Sequence, residues 1–293
     1  MDHQSNDRRS VLMIVLSMLI FGTIGVFRRY IPVSSAFLAF SRGVLGGLFI
    51  LAFTKLKHRE NAEKLPVRPL VRLAVTGALM GVNWILLFEA YNYTTVAVAT
   101  LCYYMQPTIV MLLSPVIFRE KLTPKKAVCA AVAIAGMVLV SGFTGGGGAQ
   151  AGDLRGILLG LGAAVFYSAV VIMNKRLPGI DAYQKTTVQL MSAGLVMIPY
   201  LLLTGGFSAG GFSLNAVLLL LVVGIVHTGI AYVLYFGSMD GLKVQSIAIL
   251  SYIDPVSALL FSALLLREPL SAAGIVGAVM IIGSAIISEI SER

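Results

Sequence analysis

Apolar residues run along this chain in blocks of about twenty, and the breaks between blocks are charges, Gly/Pro clusters and helix-cap residues. The blocks predict ten helices, near residues 11–28, 34–54, 70–90, 95–117, 124–143, 154–174, 183–203, 214–237, 244–266 and 271–289. Blocks of this length match the ~20 residues a helix needs to cross a bilayer. They read as helices rather than strands because a span in hydrocarbon satisfies its own backbone groups, and because they are about twice as long as a barrel strand. Thr186 to Met239 is the extreme case, 54 residues with His227 as the only residue among Asp, Glu, Lys, Arg and His. That stretch holds two spans and a turn.

Composition agrees with the pattern. Hydrophobic residues make up 58% of the 293 positions and charged residues 12%, an excess of apolar surface that only lipid can face. The formal charge of +9 does not point to nucleic acid, because the Lys and Arg sit in short connections between apolar blocks rather than on one face. With the amino terminus cytoplasmic, seventeen of the 22 basic residues fall on the inner side, and Arg28, Arg29, Arg42, Arg155 and Arg267 on the outer side or outer leaflet. The positive-inside rule therefore predicts both termini in the cytoplasm of a multi-pass inner (plasma) membrane protein. Arg8 and Arg9 before the first apolar block look like a secretory signal, but no small-residue cleavage pattern follows, so this block is expected to stay as the first helix. Cys102 and Cys129 both lie in apolar blocks, which indicates neither a disulfide framework nor a metal site.

An internal repeat organises the blocks. Residues 81–122 and 229–270 align without gaps at an offset of 148, with identities that include Tyr104/Tyr252, Pro107/Pro255, Arg119/Arg267 and Glu120/Glu268. Five spans separate equivalent points, and an odd number of crossings inverts the second copy. The expected architecture is an all-α transmembrane fold of ten helices, built as two inverted five-helix repeats around a central cavity. The first repeat is expected at 1–144 and the second at 153–293, joined by a Gly-rich linker at 145–152.

Several of these features, in this order, resemble the EamA-type, ten-helix branch of the drug/metabolite transporter superfamily. They are Arg42 early in the second helix, the run Glu89-Ala90-Tyr91-Asn92-Tyr93-Thr94, Pro107 followed by Phe118-Arg119-Glu120-Lys121-Leu122-Thr123, and the echo from Pro255 to Arg267-Glu268-Pro269-Leu270-Ser271. The resemblance covers nearly the whole chain. It implies a bacterial inner-membrane carrier with a cavity between its halves, and substrates among amino acids, amines, nucleobases and drugs.

The residues themselves suggest where a solute would bind. Gln106-Pro107 and Asp254-Pro255 fall at the middle of matched helices, and matched interruptions are a pointer to a site between repeats. Proline kinks repaired by neighbouring helices are the plainer alternative. A carboxylate at membrane centre costs ~2.5–3.5 kcal/mol on the insertion scale, so Asp254 is expected to face a wet cavity. Aromatic residues gather at the same depth: Trp84, Tyr103, Tyr104, Tyr232, Tyr235 and Tyr252. With Asp254 they suit an amine, through cation–π attraction of ~0.5–2 kcal/mol per contact. They suit a flat metabolite or plain interhelical packing equally well. His227, near the middle of the eighth helix, is either a proton-exchange partner for Asp254 or a packing hydrogen bond. Arg42 and Glu89 are expected to pair in the outer half of the membrane, as a brace or a gate, with Arg42 alternatively holding a substrate carboxylate; its counterpart in the second repeat is Gln189. Glu120 and Glu268, each just before a Thr or Ser that can cap the next helix, read as structural acids beside a helix dipole.

The expected activity is secondary active transport of a small organic metabolite by alternating access, with proton coupling through Asp254 and His227 as one version and export as one direction. A passive channel or a lipid flippase or scramblase is the alternative. No nucleotide motif and no nucleophile, carboxylate pair or metal cluster at membrane depth stands out, so neither ATP drive, an enzyme nor a cofactor is expected. The partners expected are the solute, the lipid bilayer and protons, in a monomer or homodimer with no nucleic acid.

Overall fold

The computed structural model describes residues 2–28, 30–56, 65–94, 96–140, 154–206, 213–267 and 271–290. Regular structure among them is entirely helical. The helices are α1 (Asp2–Arg28), α2 (Ser35–Leu56), α3 (Val67–Tyr93), α4 (Val96–Tyr103), α5 (Gln106–Phe118), α6 (Pro124–Val140), α7 (Leu154–Lys175), α8 (Ala182–Leu203) and α9 (Leu214–Gly224). A π-helical segment, Ile225–Ile230, joins α9 to α10 (Ala231–Ser238); then come α11 (Val244–Ser251), α12 (Ile253–Leu266) and α13 (Ala272–Ile290). Eight stretches among the described residues are long and apolar enough to cross a membrane, and Ala272–Ser288 is a shorter apolar helix. The Gly-rich linker expected at 145–152 lies outside the described residues.

Three expected spans are subdivided. The block near 95–117 breaks at Tyr104–Met105, the one near 244–266 breaks at Tyr252, and the one near 214–237 widens into the π segment. Each proline was expected to interrupt a continuous helix; instead the helix stops first and restarts, leaving Pro107 and Pro255 in the first turn of α5 and α12. There a missing amide hydrogen leaves no intrahelical partner unsatisfied. Arg119 and Arg267, the residues that follow these helices, share the left-handed conformation at φ 57°. The expected caps form, since the hydroxyl of Thr123 accepts from Lys126 N and that of Ser271 from Gly274 N.

The helix bounds repeat through the chain. α2 and α8 begin and end 147 positions apart, and so do the far ends of α1 and α7 and the starts of α3 and α9. The starts of α4 and α11, the ends of α5 and α12 and the starts of α6 and α13 are 148 apart, although the starts of α5 and α12 are 147 apart. The shift by one falls between the starts of α9 and α11, the stretch that holds the π segment.

Packing is mostly between the copies. α3 lies on α7 and α8, while their counterparts α9, the π segment and α10 lie on α1 and α2; α4 packs on α7 as α11 and α12 pack on α1. The pairs α2·α8 and α6·α13 join matched helices directly, and α5·α11 joins the two broken spans. One large apolar cluster, with Met80, Trp84, Val110, Leu190 and Phe236 among its members, ties the two copies together at mid-depth.

Candidate functional site

The broken helices place polar groups where a continuous helix would bury only apolar ones. Between the copies lies a cavity of about 530 Å³, a size typical of small-molecule sites. Call the end of the bundle bearing the start of α1 the near end. The cavity is lined by the far halves of α1, α2 and α3 (Gly22 to Arg28, Ser35 to Arg42, Trp84 to Tyr91), and reaches Gln106, Ser251 and Asp254 at mid-depth. It thus extends from the distal end to the middle.

Among the residues expected at a site, Trp84, Tyr103, Tyr104, Gln106, Tyr232, Asp254 and Arg42 line this cavity, as does Tyr235. Asp254, on the first turn of α12, accepts a hydrogen bond from the Tyr104 hydroxyl at 3.3 Å, so one copy supplies the acid and the other its donor. The guanidinium of Arg42 lies 4.7 Å from the centroid of the Trp84 ring, and its Nε is buried without a partner. Tyr167, Tyr91, Thr100 and Ser251 also line the cavity, although the sequence did not single them out for a site. Tyr167 stacks obliquely on Tyr103 at 6.0 Å between ring centroids.

Four expected residues do not line the cavity. Tyr252 is buried against Met137, Val256 and Ile281, and its hydroxyl pairs with that of Thr108 at 2.6 Å. Gln189 is held by Asn174 through a bond of 2.8 Å in one direction and 3.4 Å in the other. His227 pairs with the Thr23 hydroxyl at 2.8 Å and packs edge-on against Phe27, so it does not meet Asp254 directly. The expected Arg42–Glu89 pair is absent. Glu89 accepts instead from Tyr200 at 2.6 Å and from Asn92 at 3.3 Å, because a phenol on α8 and an amide one turn along α3 satisfy it locally.

Polar contacts gather at the near end: Glu120 and Ser114 of the first copy meet α11 of the second, while Lys175 and Lys185 are held within the second copy. The Glu120 carboxylate accepts from the backbone N–H groups of Val244 (3.0 Å) and Gln245 (3.3 Å), the amino terminus of α11. This corrects the expectation that Glu120 serves the helix that follows it; the exposed amides it satisfies belong to the other copy. Lys175 donates to the carbonyls of Met239 and Leu242, Lys185 lies 3.7 Å from Asp240, and Gln245 donates to Ser114 at 2.9 Å. Glu268 lies outside the described residues.

Comparison with known proteins gives a consistent picture. The model of the EamA-like transporter family matches twice, over residues 8–142 and 154–289. The chain is 29% identical over 250 residues to the uncharacterized transporter YxxF of Bacillus subtilis, spanning 85% of this chain and 79% of that one. It is 30% identical to the protein PecM of Dickeya dadantii over 76% of this chain and 75% of that one. An uncharacterized transporter of Archaeoglobus fulgidus is 27% identical over 94% of both chains. A crystal structure superposes with a TM-score of 0.81 over 96% of both chains at 22% identity, a likeness of fold.

Proposed function

We propose, from the premise that this chain belongs to the EamA-like transporter family, that it is a secondary active carrier for a small organic metabolite, working by alternating access around the cavity between its halves. The observation that carries the reading is a cavity reaching mid-depth from one end only, walled by both copies and holding a carboxylate, a guanidinium and several aromatic faces. A passive pore would be continuous, whereas here Glu120 and Ser114 of the first copy hold α11 of the second across the near end.

Ten crossings are the reading we adopt, with repeats at 1–144 and 153–293; the matched helices α6 and α13, 17 and 19 residues long and packed on each other, complete the two sets of five. The distribution of basic residues supports both termini in the cytoplasm of an inner membrane. In that orientation the cavity faces outward and the sealed end faces the cytoplasm. Asp254 is the group we assign to substrate or proton binding. Substitution of its Tyr104 hydrogen bond by a ligand ammonium, or protonation, would free the two copies to move relative to each other. Amines, amino acids and related compounds fit a wall of Trp84, Tyr103, Tyr104, Tyr167 and Tyr232 around that acid.

The test begins with a thermal-shift screen of amines, amino acids and nucleobases on purified protein, since a ligand at 100 times its Kd stabilises by ~2.7 kcal/mol. Each hit is then followed by counterflow in proteoliposomes. The carrier reading predicts at least one hit with saturable counterflow. Flux that never saturates and shows no competition between solutes would establish a passive pathway instead.

A further inference from the structure

The two copies differ in length by one residue at one place, and that place has its own structure. In α3, Gly77 and Gly81 are four residues apart; in the second copy the equivalent Gly224 and Gly229 are five apart. The bounds of α2 and α8 and the starts of α3 and α9 are offset by 147, whereas the starts of α4 and α11, the ends of α5 and α12 and the starts of α6 and α13 are offset by 148. The extra residue lies among Ile225 to Thr228, inside the π segment Ile225–Ile230. An inserted residue in a regular α-helix would turn everything beyond it by ~100°. The π turn takes it up locally instead. As a result Tyr232 and Tyr235 face the cavity just as Trp84 and Leu87, their equivalents in the first copy, do.

The surroundings are built for this turn. Widening a helix displaces carbonyls from their usual donors, and here Thr228 donates to the carbonyl of Val223 at 3.0 Å while the His227 ring approaches that of Val222 at 3.5 Å. His227 also reaches Thr23 on α1, and residues 21, 22, 24 and 25 of that helix line the cavity. The crossing is close at Gly46, whose Cβ would lie 2.8 Å from the Gly224 carbonyl, but has room at Gly229 itself. A Cβ on Gly81 would lie 2.7 Å from the Ala193 carbonyl, whereas one on Gly229 would lie 3.4 Å from that of Gly46, an ordinary contact. π turns occur often at functional points in helices.

We infer that the π segment is a one-residue insertion that makes the second copy's cavity-lining helix the bending element of the transport cycle, with His227 as the positioning residue that ties this bend to α1. The inference rests on the alternating-access reading. When the near end opens, α9 keeps its packing on α2 while α10, carrying Tyr232 and Tyr235, swings about residues 225–230 and takes α1 with it through the Thr23–His227 contact. α3 has no such turn and moves as a rod.

The experiment deletes one residue. Removal of His227 restores the four-residue glycine spacing, so the protein is expected to fold with a Tm within a few degrees of wild type; removal of Leu79 from α3, where there is no residue to spare, is expected to abolish folding. Spin labels on Lys121→Cys and Lys243→Cys, in a background of Cys102→Ser and Cys129→Ala, report the near end by pulsed electron resonance. Wild type is expected to show two distance populations, and the deletion variant to lose the longer one at least tenfold. An unfolded deletion variant, or a tolerated Leu79 deletion, overturns the insertion. Two populations in wild-type proportion in the deletion variant overturn its role as the bend. A single population in the wild type counts against alternating access itself, and the inference falls with it.

Discussion

The interrupted helices α4–α5 and α11–α12 are copies in backbone and opposites in chemistry. Both stop one turn before a proline and restart, yet the tyrosine at the break faces the cavity in one and the packed interior in the other. Tyr104 donates to Asp254, while Tyr252 pairs with Thr108 behind the wall. At the position of Asp254 the first copy has Gln106, a neutral residue whose backbone carbonyl accepts from the Ser168 hydroxyl. The copies differ also at one glycine of each crossing, where a Cβ would meet backbone at 2.7 Å on Gly81 but only at 3.4 Å on Gly229. Duplication supplied the frame twice; the mid-depth carboxylate lies in one copy only. A bilayer penalises each buried charge separately, so one carboxylate per cavity is the cheaper arrangement.

Substitutions at matched positions sharpen this contrast. The largest effect is expected for Gly77→Ala, whose Cβ would lie 2.3 Å from the Gln189 carbonyl oxygen and 2.6 Å from its Cα. Backbone cannot yield there, and a loss of ~3 kcal/mol or more is expected in a denaturation assay. Glu120→Gln removes the charge from two bonds to the amino terminus of α11, worth ~1.5–3 kcal/mol when charge-assisted. The near-end spin-label distance should shift toward the open population by about tenfold or more. Tyr252→Phe leaves the buried Thr108 hydroxyl without its partner and is expected to cost ~1–2 kcal/mol of stability while sparing ligand binding. Tyr104→Phe should do the reverse, changing stability by under ~0.5 kcal/mol and reducing transport several-fold. Gly229→Ala should stay within ~1 kcal/mol of wild type, because its new methyl meets only ordinary contact. If Tyr252→Phe impaired transport as much as Tyr104→Phe, the division of labour proposed here would fail.

Much of this was legible in the chain. Apolar block lengths predicted helices throughout, the offset of 148 predicted matched breaks, and the cost of a mid-membrane acid singled out Asp254, which does line the cavity. What the pattern could not show was direction. Neighbouring helix positions point ~100° apart, and hydrophobic periodicity does not separate a lipid-facing stripe from one facing another helix. Tyr104 and Tyr252 stand at identical sequence positions in their repeats and yet part company in their partners, Asp254 for one and Thr108 for the other. Glu89 looked like a partner for Arg42 because both charges needed one; Tyr200, neutral and distant in sequence, gave no sign that it would serve. Tyr167 sat unremarked in an apolar block until α7 placed it beside Tyr103. The one-residue difference between the copies was present as the spacing of Gly77–Gly81 against Gly224–Gly229, but its meaning required the helix bounds on either side.

The central claim is that Asp254, in a cavity shared by both copies, carries the transport cycle. It is tested most directly by uptake of the thermal-shift hit into proteoliposomes under an imposed pH gradient, comparing wild type with Asp254→Asn. The account predicts at least a tenfold lower initial rate for the variant at unchanged Tm in the absence of ligand; wild-type uptake by Asp254→Asn would contradict it.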